Sequence, residues 1–536
     1  MSRPEPTAGA PIVRWSPAPV DVLFAISVLG AAVVFLRAGS EAWFFADEWS
    51  MADQVRSPSG LLEPYNGHCS VLILGLYRVL LGVFGFDAYL PYRIAGVASL
   101  VSVAVAVYAV VRREVGAVAA VLAGAVVLWP RGVNLEPGGL NHSLAALGAV
   151  VCAAGLVGPG RRRDVAVAVG LAFALASSGG GVAVAAAAIV HTALTRARRQ
   201  RWMAVLVPTA AWLVWYLTFV DQDSAAADVR PGLVSLARIA AEESIRSFSS
   251  LTLGNRVGGA VAALIVVTVL VLRLRRGPAA AAGTFGWLIG LYAWWFGLAW
   301  SRWLFLDERT FRYEFTSSVL ILLALLPSRR RVGDVDPVAE ALARWAPERL
   351  RAAVSARWAA PVGLVVVSLA LVPTVRADAE TWGDLLGDIG SATRDQVASV
   401  TFGPEAVPDD AVLGFAVGAR EAGTVRELFA AFGGPAWSGD FDAYVERTVR
   451  LGEPLASLPP CAPARAGDEV EVRSDGEALV RAPVDRPITV EVGRFGRAPV
   501  ERTVVAEGDA VVVIVSRQAS DEPWTVRAEG ACLTAR

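Results

Sequence analysis

The chain has 536 residues, 55% of them hydrophobic and only 18% charged, and its mean hydropathy is +0.50. Soluble domains carry about a quarter charged residues, so this composition excludes an ordinary water-soluble enzyme and describes a membrane protein. A net charge of −1 gives no sign of a nucleic-acid partner, and 4 cysteines with 3 histidines lack the pair spacing of a zinc site.

No lysine occurs, and the arginine-only basic set with its Ala, Val and Gly bias points to a GC-rich bacterial genome. Residues 1–19 are polar and proline-rich, with Arg3 and Arg14 ahead of the first apolar run. They read as a cytoplasmic tail before an uncleaved signal anchor. Segments long enough to span a bilayer, about 17–25 residues, fall near 20–37, 92–111, 115–130, 139–158, 202–220, 257–273, 281–300, 312–327 and 359–376. The apolar region 164–195 is broken by Ser177-Ser178-Gly179-Gly180-Gly181 and predicts two helices meeting at a turn. The fold class is therefore an α-helical polytopic membrane protein of about eleven transmembrane helices.

Arginine clusters at 112–113, 161–163, 195–201, 273–276 and 329–331 fall in alternate connections, which the positive-inside rule places in the cytoplasm. The N-terminus is then inside, and the C-terminus and the first connection, 38–91, are outside. Three further outer connections follow. One holds Arg131, Glu136, Asn141 and His142; the next carries an amphipathic helix from Leu233 to Phe248, expected to lie at the interface. The last, 301–315, holds Arg302, Asp307, Glu308, Arg309, Arg312 and Tyr313. Arg78 is expected to snorkel from an interfacial helix.

After the transmembrane domain, 20–376, residues 377–460 alternate helical patterns with Gly, Pro and Asp breaks. From 466, about six short alternating runs with turn residues between them predict antiparallel strands. The segment 461–536 thus reads as a small extracytoplasmic module, α+β or β-sandwich-like. Cys461 and Cys532 bracket it and are placed to form a disulfide outside the cytoplasm. Its visible aromatics are Phe495 and Trp524, so a sugar-stacking platform and a purely structural cap are both open.

The most informative stretch is Phe44 to Arg93. Asp47 and Glu48 stand side by side among Phe44, Phe45 and Trp49. An acidic pair at a membrane surface is costly, which favours chemistry or binding; the bland alternative is an aromatic belt with its acids in water. Behind the pair come Pro64-x-x-Gly67-His68, the Leu76-Tyr77-Arg78 helix and Gly85-Phe86-Asp87-x-x-x-Pro91-Tyr92-Arg93. Over residues 20–130 this series resembles the polytopic glycosyltransferases of the GT-C superfamily, such as the protein mannosyltransferases and arabinosyltransferases. The resemblance implies an inverting transfer of a sugar from a polyprenyl-phosphate donor to a glycan, lipid or protein acceptor of the cell envelope. It makes Asp47 the base for the acceptor hydroxyl, with Glu48 sharing or orienting that role. His68, Arg302, Arg309, Arg312 and Tyr313 become substrate contacts, the arginines facing the leaving phosphate. The residues assign no certain cofactor; the acidic pair could hold a divalent cation, Mg or Mn, with water and phosphate oxygens. A non-catalytic envelope polysaccharide-binding or assembly protein is the runner-up. A transporter ranks third, because charges gather in outer loops rather than at mid-membrane. No phosphate-binding glycine loop is visible, since the Ser177–Gly181 run lacks the lysine a nucleotide cradle needs.

The arginine alternation makes a direct prediction. A cysteine placed at position 162 should react with a membrane-impermeant maleimide only after the cells are opened, and labelling of intact cells would reverse the orientation.

Overall fold

The computed structural model describes residues 19–40, 42–129, 139–220, 232–252, 254–302 and 311–327, then parts of 376–451 and the strands between 469 and 535. The helices run in the order α1 Pro19–Ala38, α2 Asp47–Gln54, α3 Val71–Phe84, α4 Leu90–Glu114, α5 Ala117–Leu128, α6 Leu140–Leu156 and α7 Arg161–Leu175. They continue as α8 Gly180–Leu194, α9 Arg199–Phe219, α10 Leu233–Ser250, α11 Arg256–Leu274, α12 Pro278–Arg302, α13 Phe311–Ala324 and α14 Ala422–Phe432. Ten of these fall on expected spans, and the eleventh expectation, 359–376, lies outside the described residues.

By length and composition α1, α4, α9 and α11 can cross a membrane. Others are shorter than the sequence suggests: α5, α7, α8 and α13 have 12, 15, 15 and 14 residues. At 1.5 Å per residue that is about 18–23 Å, less than a hydrocarbon core of about 30 Å. Much of their surface is buried within the bundle, where non-helical backbone is tolerated beside protein or a cavity.

The bundle is held by close helix approach, since apolar burial separates helices from lipid only weakly. A Cβ on Gly148 would come within 2.6 Å of the Gly170 carbonyl, one on Gly155 within 2.6 Å of the Arg163 carbonyl, and one on Gly170 within 2.5 Å of the Cys152 amide. These glycines let α6 and α7 touch backbone to backbone. On α12, Gly286 and Gly290 do the same against the Ala187 and Ala183 carbonyls of α8. At the end rich in arginine, buried Asp164 accepts from Arg201 at 2.5 Å and from Arg198 at 3.1 Å, tying α7 to α9. The predicted interfacial helix is α10. It packs Leu236, Ala240 and Ser247 into the bundle, with Trp295 donating to the Ser247 hydroxyl at 2.7 Å, while Leu233 and Val234 stay exposed.

Among the described residues eight short strands follow: β1 Arg450–Leu451, β2 Glu469–Val472, β3 Ala478–Arg481, β4 Ile488–Gly493, β5 Val500–Val504, β6 Val512–Val513, β7 Trp524–Ala528 and β8 Cys532–Ala535. An antiparallel sheet runs β2-β7-β4-β5, with β3-β8 and β1-β6 as separate pairs. Its register puts Val470, Val526, Val492 and Val500 in one row across the sheet and Glu469, Arg527, Glu491 and Glu501 in the next. Period-two patterning thus sorts apolar from charged residues onto opposite faces. The last predicted run divides into β7 and β8. Trp524 is fully buried and Phe495 nearly so, with the Arg494 guanidinium over both rings at 5.0 and 4.3 Å. These rings are core, which removes them as an exposed stacking platform. Cys461 lies outside the described residues; Cys532 sits in β8 opposite Arg481.

Replacing Gly170 with Leu should destabilise the protein by about 3 kcal/mol or more, because neither backbone can yield. Gly30→Ala, on an exposed face with open space around it, should leave thermal unfolding in detergent within about 0.5 kcal/mol of wild type.

Candidate active site

The first connection folds around a buried carboxylate. Glu48 is 1% exposed, and its oxygens accept from the hydroxyls of Tyr77 on α3 and Tyr89, at 2.8 Å for the latter, and from the Phe45 amide at 3.3 Å. Burial first, and then the Glu48 carboxylate, push the Tyr77 phenol well above its ordinary range, so it remains a donor. Around this contact lies a packed aromatic cluster. Phe44 sits 4.8 Å from both Tyr89 and Tyr92, and Trp49 stacks on Phe86 at 4.9 Å. Phe44 and Trp49 are wholly buried, so they form a core rather than an interfacial belt. Glu48 faces the tyrosines and fixes the loop, and it is not among the residues that line the cavity beside Asp47. Arg78 donates to the Val55 carbonyl at 2.9 Å, closing the end of α2.

Asp47 is the first residue of α2 and points the other way, exposed to a cavity of about 260 Å³. Ala46 before it has φ 41° and ψ −106°, a conformation that costs a non-glycine residue and persists only where its surroundings enforce it. Tyr65 donates to the Asp47 carbonyl at 3.0 Å. Tyr65 and His68 then exchange backbone hydrogen bonds of 3.0 and 2.9 Å across Asn66 and Gly67, with φ values of 50° and 76°. Asn-Gly with both φ positive makes a two-residue hairpin turn, which delivers His68 to the cavity.

The other walls come from helix ends. The Ser177–Gly181 break forms the turn between α7 and α8, and Ser178 and Gly179 line the cavity. A Cβ at Gly179 would lie 2.9 Å from His68 Nδ1, so glycine there leaves room for the imidazole. The first turn of α6 supplies Asn141 and His142. The His142 ring stands edge-on to Trp294 of α12 and to Tyr313 of α13, at 5.6 and 5.5 Å. Trp212 and Tyr216 of α9 stack at 5.3 Å on a further side.

Of the residues named as base or substrate contacts, Asp47, His68 and Tyr313 meet at this cavity, joined by Asn141 and His142 of the second outer connection. Arg302 ends α12 and Arg312 is the second residue of α13, so their backbones stand at either side of the segment 303–310 that contains Arg309; Arg309 and the side chains of Arg302 and Arg312 lie outside the described residues. No group of three His, Cys, Asp or Glu is placed to hold a metal among the described residues. Sequence reading passed over the aromatic wall, Trp212, Tyr216 and Trp294, and the His142 role, although the Asn66-Gly67 dipeptide was a legible turn signal.

Fold and site together describe a polytopic membrane protein with a cavity roofed by its first connection. The solved structures it resembles include ArnT from Cupriavidus metallidurans bound to undecaprenyl phosphate, at 16% identity over 73% of this chain and 81% of that one, with a TM-score of 0.42. The same protein in its apo state matches at 14% identity over 92% and 98%, also at 0.42. An oligosaccharyltransferase from Archaeoglobus fulgidus in complex with zinc and sulfate matches at 15% identity over 72% and 56%, with a TM-score of 0.37. Likeness at these scores is one of broad arrangement and assigns no chemistry. No family model and no curated protein matches the chain.

The Glu48 contact can be tested by itself. Tyr77→Phe removes one donor from a buried carboxylate and should lower stability by about 1–3 kcal/mol. Thermal unfolding of the purified variant reads this directly, and an unchanged midpoint would show that the contact contributes nothing.

Proposed function

We propose that the chain is a membrane glycosyltransferase that moves a sugar from a polyprenyl-phosphate donor to a glycan, lipid or protein acceptor of the cell envelope. The observation that carries this is the orientation of Asp47: one carboxylate exposed to an aromatic-walled cavity, while its neighbour Glu48 is consumed in holding the loop. Aromatic faces suit the apolar face of a sugar ring.

In this reading the Asp47 carboxylate takes the proton of the acceptor hydroxyl as that oxygen attacks the anomeric carbon. The bond from the anomeric carbon to the phosphate oxygen breaks on the opposite face, and the phosphate leaves with the electron pair. Attack opposite the leaving group inverts the anomeric centre. Arg302, Arg309 and Arg312, at and between the ends of α12 and α13, would neutralise the departing phosphate. His68 would hydrogen-bond the acceptor or a phosphate oxygen, and Tyr313 would line the sugar site. A divalent cation at Asp47 would have to complete its shell from phosphate and water.

The membrane placement belongs to the same proposal. The domains are a cytoplasmic tail, 1–19, a transmembrane domain, 20–376, a mixed helical region, 377–460, and a β-rich module, 461–536, the last two extracytoplasmic. In this reading the first connection and the region after the last span lie on the same side of the membrane, which the contacts of Phe429 with Trp49 and of Arg420 with Asp53 support. A Cys461–Cys532 disulfide would close the module.

Asp47→Asn keeps size and removes basicity, so turnover of a polyprenyl-phosphate sugar should fall about 10²–10⁴-fold with expression retained. Arg312→Ala should weaken donor binding instead. Acceptor and donor binding without turnover in the wild-type protein would favour the non-catalytic envelope protein.

A further inference from the structure

The α2 helix that presents Asp47 is clasped on two sides. Glu48 and the tyrosines hold one. The other is held by a segment more than 350 residues further along the chain. Residues 409–413 and 417–423 run alongside each other, with Val412 bridging Glu421 and the Leu413 amide donating to the Arg420 carbonyl at 2.8 Å. They lead directly into α14.

Contacts of four kinds join this unit to the first connection: ring packing, ion pairs, a backbone hydrogen bond and a close backbone approach. Phe429 of α14 stands edge-on to Phe86 at 5.3 Å and tilts against Trp49 at 6.2 Å. Arg420 pairs with Asp53 at 3.2 Å, and Glu427 pairs with Arg56. The Phe86 amide donates to the Gly433 carbonyl at 3.3 Å. At the fourth, Gly418, with φ +68°, lies so close to Ala46 that a Cβ would fall 2.7 Å from its carbonyl oxygen. Ala46 is the residue in the costly backbone conformation that aims Asp47. Strain of that kind needs an outside constraint, and Gly418 abuts it.

We propose that residues 409–433 are a positioning brace for Asp47, with Gly418, Arg420 and Phe429 as positioning residues acting through Ala46 and α2. This rests on the reading of Asp47 as the base. The brace makes the orientation of the base depend on the region after the last span, so the transmembrane bundle alone presents an incomplete site.

The test uses the full chain in detergent or nanodiscs with a panel of polyprenyl-phosphate pentoses and hexoses. Gly418→Ala should lower kcat about 10–100-fold with little change in donor KM, and should raise hydrogen exchange in peptide 44–56 at least tenfold while α6 and α7 peptides stay as in wild type. In the Asp47→Asn background the same substitution should cost almost nothing further, since both act through one group. Arg420→Ala should show a milder version that Arg420→Lys restores; it covers the case in which Gly418→Ala does not fold. Unchanged exchange in 44–56 with both variants overturns the brace, as does full additivity with Asp47→Asn. Full turnover by Asp47→Asn alone removes the base assignment instead, and with it the claim that the brace serves catalysis.

Discussion

Burying the Glu48 carboxylate is the constraint on which the first connection depends. A carboxylate at 1% exposure pays a desolvation penalty that only directed donors can offset. Two tyrosine hydroxyls and one amide supply them, and they come from three places: α3, the start of α4 and the residues before α2. One polar contact therefore fixes the relative placement of all three. The aromatic cluster around it has no such directionality and fills whatever space the polar contact defines. The result is a rigid roof over the cavity rather than a loose loop at a bilayer surface.

Below that roof the cavity exists because helices end there. The Ser177–Gly181 break, the first turns of α6 and α13 and the last turns of α9 and α12 leave polar backbone at one level, which a lipid-facing surface would not allow. Glycines make the arrangement possible in two different ways. On α6, α7 and α12 they bring helices into backbone contact, and at Gly179 one makes room for His68.

How much of this was legible in the sequence follows from the range of the interactions involved. Helix positions were readable because lipid imposes long apolar runs, and the Gly/Ser break correctly separated α7 from α8. Strand alternation was readable for the same local reason, down to the valine and charged rows. The acidic pair was visible, but not the division of labour within it. That division depends on Tyr77 and Tyr89, 29 and 41 residues away, and the Leu76-Tyr77-Arg78 pattern gives no sign of a bond to Glu48. The aromatic wall was hidden because Trp212, Tyr216 and Trp294 sit in spans already rich in aromatics, where one facing lipid and one facing a cavity look alike. Contacts between α2 and residues 409–433 were beyond reach, since nothing local announces a pairing across most of the chain.

The opposed facing of Asp47 and Glu48 has a consequence for how this stretch can vary. Successive residues on a helix are turned about 100° from each other. A single-residue insertion or deletion just ahead of Asp47 would therefore carry one acid out of the cavity and the other out of its tyrosine cage together. Point changes in the exposed part of the loop leave that phase intact. Length here is held more tightly than identity, so across divergent homologues the gap-free block ahead of α2 should outlast the resemblance of its side chains.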